Sequence, residues 1–409
     1  MAESLKDMRN YLVVTASYWA FTVTDGAIRM LVVLYFHSLG YSPLEIAFLF
    51  LFYEFFGVVT NLVGGWIGAR VGLNLTMHAG MALQVMALLM LTVPDAWLSV
   101  PYVMAAQALS GIAKDLNKMS AKASVKLMLP EDAGSQLFRW VAILTGSKNS
   151  LKGAGFFVGA ALLASTGFRN ALYILAGGLF LVLVVTALLL PHELGKSKAK
   201  PKFTSIFSKS RPINWLSAAR FFLFGSRDVW FVVGLPVFLS SVLDWTHTQV
   251  GGFLALWIIG YGLVQASAPR LLRRSHHAHG PDGGTARLWV MLLAVMPAGI
   301  AIALQQGLDP ALSLVIGLAL FGIVFAINSA VHSFLILDYS DSDRVAMNVG
   351  FYYMANAGGR LTGTVLSGLI YQTHGLTGCL WWSVAFILMA GLLSLALPTR
   401  PEISQSRSS

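Results

Sequence analysis

Apolar residues run through this chain in long blocks. They follow neither the three-to-four spacing of a surface helix nor the alternation of a half-buried strand. A bilayer core needs about 20 consecutive apolar residues per helix. Twelve segments meet that length: 11–38, 43–68, 75–93, 98–120, 138–166, 170–190, 213–241, 248–270, 287–306, 311–337, 345–373 and 376–397. Most breaks are short and hold turn residues, as in "SLGYSP", "VPDAW", "LDWTHT", "QGLDP" and "THGLTG". The pattern predicts an all-α membrane protein with twelve transmembrane helices.

Composition agrees. Of 409 residues, 56% are hydrophobic and 11% charged, against about 25% charged in an ordinary soluble domain. The lone Cys379 rules out a disulfide framework or a multi-cysteine metal site. The polar stretch Met1–Asn10 followed by a span-length apolar run does not read as a cleavable signal peptide. Lysine and arginine gather in two loops. Lys196, Lys198, Lys200, Lys202, Lys209 and Arg211 lie after span six, and Arg270, Arg273, Arg274 and Arg287 bound the loop after span eight. The alternate loops hold little besides Arg169. The positive-inside rule then predicts that both termini are cytoplasmic. It also accounts for most of the +10 net charge without a nucleic-acid partner.

Six spans, a basic linker and six more spans predict two pseudo-symmetric halves, 1–190 and 213–409, joined by a cytoplasmic linker at 191–212. A shift of 208 lays Lys152 on Arg360, Gly155 on Gly363 and Gly167 on Gly375. A shift of 211 lays Gly111 and Asn117 on Gly322 and Asn328, and a shift of 202 lays Asp25 on Arg227.

Charges inside the spans carry the chemistry, because each costs at least about 2.5–3.5 kcal/mol at a helix centre on insertion scales. The stretch "LSGIAKDLNKMSAKASVK" places Lys114, Lys118, Lys122 and Lys126 four apart, as one basic stripe along a helix. Asp25 and Arg29 share a face of span one, and Lys148 and Lys152 share a face of span five. Glu54, Asp115, Arg227, Asp228 and Arg360 complete the set. If every acid pairs with a base, about three positive charges remain, an expensive arrangement unless an anion visits. The residues therefore predict a multiply charged anionic substrate. Asp25–Arg29 also fits an ion pair that fixes span one. Arg227 and Asp228, as neighbours on different helix faces, fit pairing across helices. Asp25, Glu54 and Asp228 fit proton coupling or ion pairing, and Lys122 and Lys126 fit either an entry funnel or a positive-inside flank.

Polar residues at similar depth extend the candidate site: Asn117, Asn328, Tyr353 and Asn356, with His332 one turn past Asn328. Amides and phenols at this depth also glue helices together. His276, His277 and His279 lie in a Gly-rich loop with only Asp282 near in sequence, which reads as a solvated loop and not a metal site. No G-x-x-x-x-G-K-[ST] loop for ATP appears, nor a nucleophile or metal cluster for an enzyme.

"GGWIGARVG" at 64–72 resembles the G-x-x-x-D-R-x-G signature of the major facilitator superfamily. Gly65, Arg70 and Gly72 match, and Ala69 stands where the family has Asp. That resemblance implies two halves rocking about a site near mid-membrane. "YWAFTVTDGAIRM", "SPLEIAFLFLFYEFFGVVTNLVGGW", "SGIAKDLNKMSAK" and "LTGSKNSLKGAGFF" resemble a narrower branch, the ArsJ organoarsenical efflux permeases of bacterial arsenic resistance. The narrower resemblance implies a monomeric, cofactor-free exporter in the bacterial inner membrane. Its substrate would be 1-arseno-3-phosphoglycerate, made by a partner glyceraldehyde-3-phosphate dehydrogenase. That molecule carries about three to four negative charges, given a second phosphate ionisation near pH 6. Lys148, Lys152 and Arg360 are then expected to hold one oxyanion and Arg29 and Arg227 the other, with Lys126, Lys122, Lys118 and Lys114 leading inward. An exchanger of phosphoglycerate or sugar phosphates needs the same basic residues and is the alternative.

Overall fold

The computed structural model describes residues 2–41, 49–127, 134–190, 210–245, 247–272, 280–342 and 344–399. Helices account for nearly all of them: α1 (Ala2–Ser38), α2 (Leu51–Val71), α3 (Leu73–Met90), α4 (Val100–Leu127), α5 (Gly134–Thr166), α6 (Phe168–Leu189), α7 (Arg211–Phe231), α8 (Gly234–Ser241), α9 (His247–Leu271), α10 (Gly283–Gln305), α11 (Pro310–Asp338) and α12 (Val345–Ser394). Most of the linker at 191–212 and the histidines at 276, 277 and 279 lie outside the described residues.

Each expected span finds a helix. One span differs in kind. Span seven is two pieces, α7 and α8, and the backbone N–H groups of Val233 and Gly234 at the break donate to Ser367 Oγ on α12, at 3.3 and 3.1 Å. A side chain thus satisfies donors that an interrupted helix would otherwise bury unmet. Spans eleven and twelve, which together make up α12, are two helices that meet in a kink at Gly375, φ 62°. That angle suits glycine, and it falls where a turn is expected. Other helix starts follow local chemistry. Asp309 caps α11 by accepting from Leu312 N–H at 2.8 Å, and Asp282 with Thr285 forms a capping box on α10.

Among the described residues, nine helical stretches are long and apolar enough to cross a membrane, α12 counting as one and α7 with α8 as another. Gly375 divides α12 into two spans. α4 and α5 miss on apolarity because they carry the lysines and amides of the candidate site.

The helices form two compact units. The first holds α1 to α4, α5 from Ser147 onward, α6, and the stretch Asp341–Met354 that opens α12. The second holds α5 up to Gly146, α7 to α11, and α12 from Ala355 onward. Ala27, Ile28, Leu31, Leu88, Val103 and Leu172 are central in one core, and Trp230, Leu293, Phe321, Phe325 and Leu380 in the other. Leu188, Leu256, Leu288 and Leu181 are 64–81% exposed. An apolar exterior of that kind fits a lipid surround and would be a liability in water.

Candidate functional site

In the first unit, intramembrane charges are joined through Tyr53. Its hydroxyl donates to Asp25 Oδ1 at 2.6 Å. Its ring lies 3.8 Å from Lys114 Nζ and 5.3 Å from the Arg29 guanidinium, measured to the centroid. Asp25, only 3% exposed, also receives Lys152 Nζ on Oδ2 at 3.3 Å. Arg29 turns from Asp25 to Glu54, Nη2 to Oε1 at 3.7 Å. An internal Asp25–Arg29 pair is therefore replaced by two bridges to other helices. The carboxylate of Asp115 lies between Lys118, which hydrogen-bonds it, and Lys114 at 3.7 Å.

Close helix approach makes this possible. Gly111 on α4 lies against the backbone of Tyr53; a Cβ there would fall 2.4 Å from the Tyr53 carbonyl oxygen. Gly155 on α5 likewise meets the Val23 carbonyl and Gly26, which brings Lys152 one turn away to Asp25.

The basic stripe divides by environment. Lys118 lies 4.6 Å from the Tyr353 ring, and Lys122 is 3% exposed and donates to the Tyr353 hydroxyl. Lys122 is thus a packed ammonium, unlike the solvated mouth residue that a funnel or flank suggests. Lys126 is half-buried near the helix end, and Lys148 is half-buried one turn before Lys152. Asn117 is fully buried and donates to its own helix at the Ala113 carbonyl, 3.1 Å away.

In the second unit, Asp228 is fully buried between two arginines. Arg227 Nε donates to Oδ1 at 2.6 Å and Arg360 Nε to Oδ2 at 3.0 Å. Sequence neighbours Arg227 and Asp228 do pair directly, and the bridge to Arg360 links α7 to α12. The Arg227 guanidinium also lies 5.4 Å from Phe224 and 5.6 Å from Phe231 and Phe325. Asn328 and Asn356 are buried on α11 and α12.

Two residues escaped the sequence reading. Tyr53 stood among the phenylalanines of "FYEFF", and its place beside Glu54 was the available signal. Arg220 is 2% exposed in "LSAARFF", and the cost of an intramembrane charge already marked it. Among the described residues, no three His, Cys, Asp or Glu side chains converge to hold a metal ion.

Membrane-crossing helices around paired charges, with glycines at the crossings, are the architecture of a polytopic transporter. The chain belongs to the Major Facilitator Superfamily, whose family model matches residues 12–338. No curated protein matches the sequence. Several solved structures share the fold. A bacterial homologue of the iron transporter ferroportin, in an outward-facing state with soaked iron, is 17% identical with a TM-score of 0.72, covering 94% of this chain and 98% of its own. The human organic anion transporter MFSD10 is 15% identical with a TM-score of 0.74, covering 95% and 99%. The E. coli fucose:proton symporter is 10% identical with a TM-score of 0.73, covering 96% and 100%. At these identities the likeness is one of fold.

Proposed function

We propose that this transporter exports a multiply charged organic arsenate or phosphate anion, 1-arseno-3-phosphoglycerate, across the bacterial inner membrane with both termini cytoplasmic. One observation carries the reading: in each unit the carboxylates are outnumbered by the cations bound to them. Asp25, Glu54 and Asp115 face Arg29, Lys114, Lys118 and Lys152 in the first unit. Asp228 faces Arg227 and Arg360 in the second. An anion that enters exchanges cation–carboxylate contacts for cation–substrate contacts, so the positive charge is never left unmet in a low-dielectric site. Arg360, 35% exposed, supplies a forked donor for a phosphate or arsenate group, and Lys152 a point charge. Resemblance to organoarsenical permeases selects the arsenical among such anions. On the same reading, glyceraldehyde-3-phosphate dehydrogenase is the functional partner that makes the cargo.

Among the carboxylates, Glu54 is the proton-coupling group. Its side chain is 30% exposed, whereas those of Asp25 and Asp228 are 4% and 0%, and a proton carrier must meet water during its cycle.

Arg360→Gln and Lys152→Gln test the site. Each should lower organoarsenical uptake into everted vesicles at least ten-fold at wild-type protein levels. Full activity in both variants would sink the assignment. Excess 3-phosphoglycerate distinguishes the substrates: unaltered arsenical uptake marks the arsenical as cargo, whereas complete block with exchange of the competitor marks an ordinary phosphometabolite carrier.

A further inference from the structure

The second unit holds a buried polar group apart from the Asp228 bridge. Arg220 on α7 lies with its guanidinium 3.8 Å from the Phe224 ring, and Nη1 donates to the Ser329 carbonyl at 3.4 Å. Ser329 Oγ accepts from Gln265 Nε2 at 3.1 Å and shares a hydrogen bond with Tyr261. Asn328 and His332 lie one turn apart on α11, on either side of the Ser329 whose carbonyl accepts from Arg220. Both Asn328 and His332 are 0% exposed. Neither the amide atoms of Asn328 nor the ring nitrogens of His332 have a hydrogen-bond partner among the described residues. Buried polar groups are nearly always partnered, and leaving one unmet costs about 1–3 kcal/mol. Two such side chains one turn apart, near a buried guanidinium, are a donor set built for a ligand.

The donors select the ligand. The polar groups gathered around Ser329 and on the adjoining turns of α11 are a guanidinium, two amides, hydroxyls and an imidazole, and none of the named side chains is a carboxylate. Such a set suits a tetrahedral oxyanion better than a cation or an apolar molecule. Phe224 extends the relationship, since the guanidiniums of Arg220 and Arg227 both lie against its ring, at 3.8 and 5.4 Å. Seven residues of helix separate the two arginines, about 10 Å of rise on the same face.

We propose that Arg220, Asn328 and His332 form a second oxyanion subsite in the second unit, distinct from the Arg227–Asp228–Arg360 bridge. It takes a phosphate or arsenate group, either free or as one end of the cargo. In the latter form it rests on the transport reading above, because a cargo with anionic groups at both ends needs donors at two depths.

The test is isothermal titration of the purified full-length protein with inorganic phosphate and, separately, with 3-phosphoglycerate. The variants are Arg220→Lys, Asn328→Ala and His332→Gln. Variants are accepted if they elute as wild type and melt within a few degrees of it without ligand. If Arg220→Lys fails that check, the other two decide. A ten-fold or greater loss of phosphate affinity marks a site for the free ion. A loss confined to 3-phosphoglycerate marks a site for the end of a larger molecule. Both support the subsite. Wild-type protein that binds neither probe, or folded variants that bind both as wild type does, would overturn it. Vesicle transport separates the two claims. Variant-sensitive binding without organoarsenical uptake by wild type sinks the transport reading alone. Wild-type uptake in all folded variants, with unchanged binding, sinks the subsite alone.

Discussion

Lys152 on α5 meets Asp25 on α1 at 3.3 Å, and Arg360 on α12 repeats the arrangement against Asp228 on α7 at 3.0 Å. Each cation stands three residues before a glycine at which the helices touch. A Cβ on Gly155 would fall 2.5 Å from the Val23 carbonyl oxygen, and one on Gly363 would fall 2.6 Å from that of Gly225. The shifts that relate the two halves of the sequence, 208 for Lys152, Gly155 and their counterparts and 202 for Asp25, carry Val23 onto Gly225. The same glycine crossing occurs in both units, although the shift of 202 carries Asp25 onto Arg227, so the bridging carboxylate, Asp228, stands one residue later in the second.

Breaking one bridge should cost more than removing it whole. Lys152→Gln leaves Asp25 buried with Tyr53 as its remaining close donor. The expected destabilisation is about 2 kcal/mol, below the roughly 3–5 for a fully buried pair because Lys152 keeps 20% exposure. Asp25→Asn with Lys152→Gln should recover most of that stability, but not transport. Thermal unfolding in detergent checks the first point and vesicle uptake the second. Equal stability of single and double variants would show that the bridge contributes no coupling energy.

Gly155→Leu and Gly363→Leu should both fail, since added side-chain atoms would force α5 from α1 and α12 from α7. Reduced membrane levels and aggregated elution are the expected readouts. The control is Gly177→Leu on α6, where a Cβ meets nothing within 4 Å. It should accumulate normally.

Glu54→Gln should uncouple without disabling. Its contact with Arg29 is long, 3.7 Å, and both side chains are 30% exposed. Loss of such a pair costs less than about 1 kcal/mol. Accumulation driven by a proton gradient should cease, while exchange between equal anion pools continues. Uphill accumulation at the wild-type level would transfer coupling to another group.

Tyr353→Phe removes the hydroxyl that accepts from Lys122 but keeps the ring that faces Lys118 and Lys122. A buried ammonium deprived of that acceptor should lower the melting temperature by several degrees. Lys122→Met with Tyr353→Phe should regain it, as apolar replacement of a buried polar pair often does. An entry-funnel role for Lys122 predicts instead that Lys122→Met slows uptake at low substrate and leaves stability unchanged.

The fold was legible because the bilayer imposes a length on each helix, and apolar blocks of that length stand out without any tertiary information. The one place where the pattern misled is a backbone event. The break between α7 and α8 depends on Ser367, 133 residues beyond Gly234, to receive the freed N–H groups. The turn between spans eleven and twelve, by contrast, falls where the sequence places it, at Gly375. For the site, the cost of intramembrane charge picked out Asp25, Lys152, Asp228 and Arg360, but sequence spacing could not assign partners. Asp25 and Arg29 share a face of α1, yet crossings at Gly111 and Gly155 bring Tyr53 and Lys152 closer. Tyr53 was hidden because an aromatic residue in an apolar helix reads as packing until its hydroxyl is seen on a carboxylate.

Uptake of arsenic into everted vesicles tests the central claim most directly. The vesicles receive arsenate, glyceraldehyde 3-phosphate, NAD and the dehydrogenase, and each component is omitted in turn. Accumulation only in the complete mixture is the predicted result. Arsenic excluded from vesicles that instead exchange phosphate or 3-phosphoglycerate would contradict it.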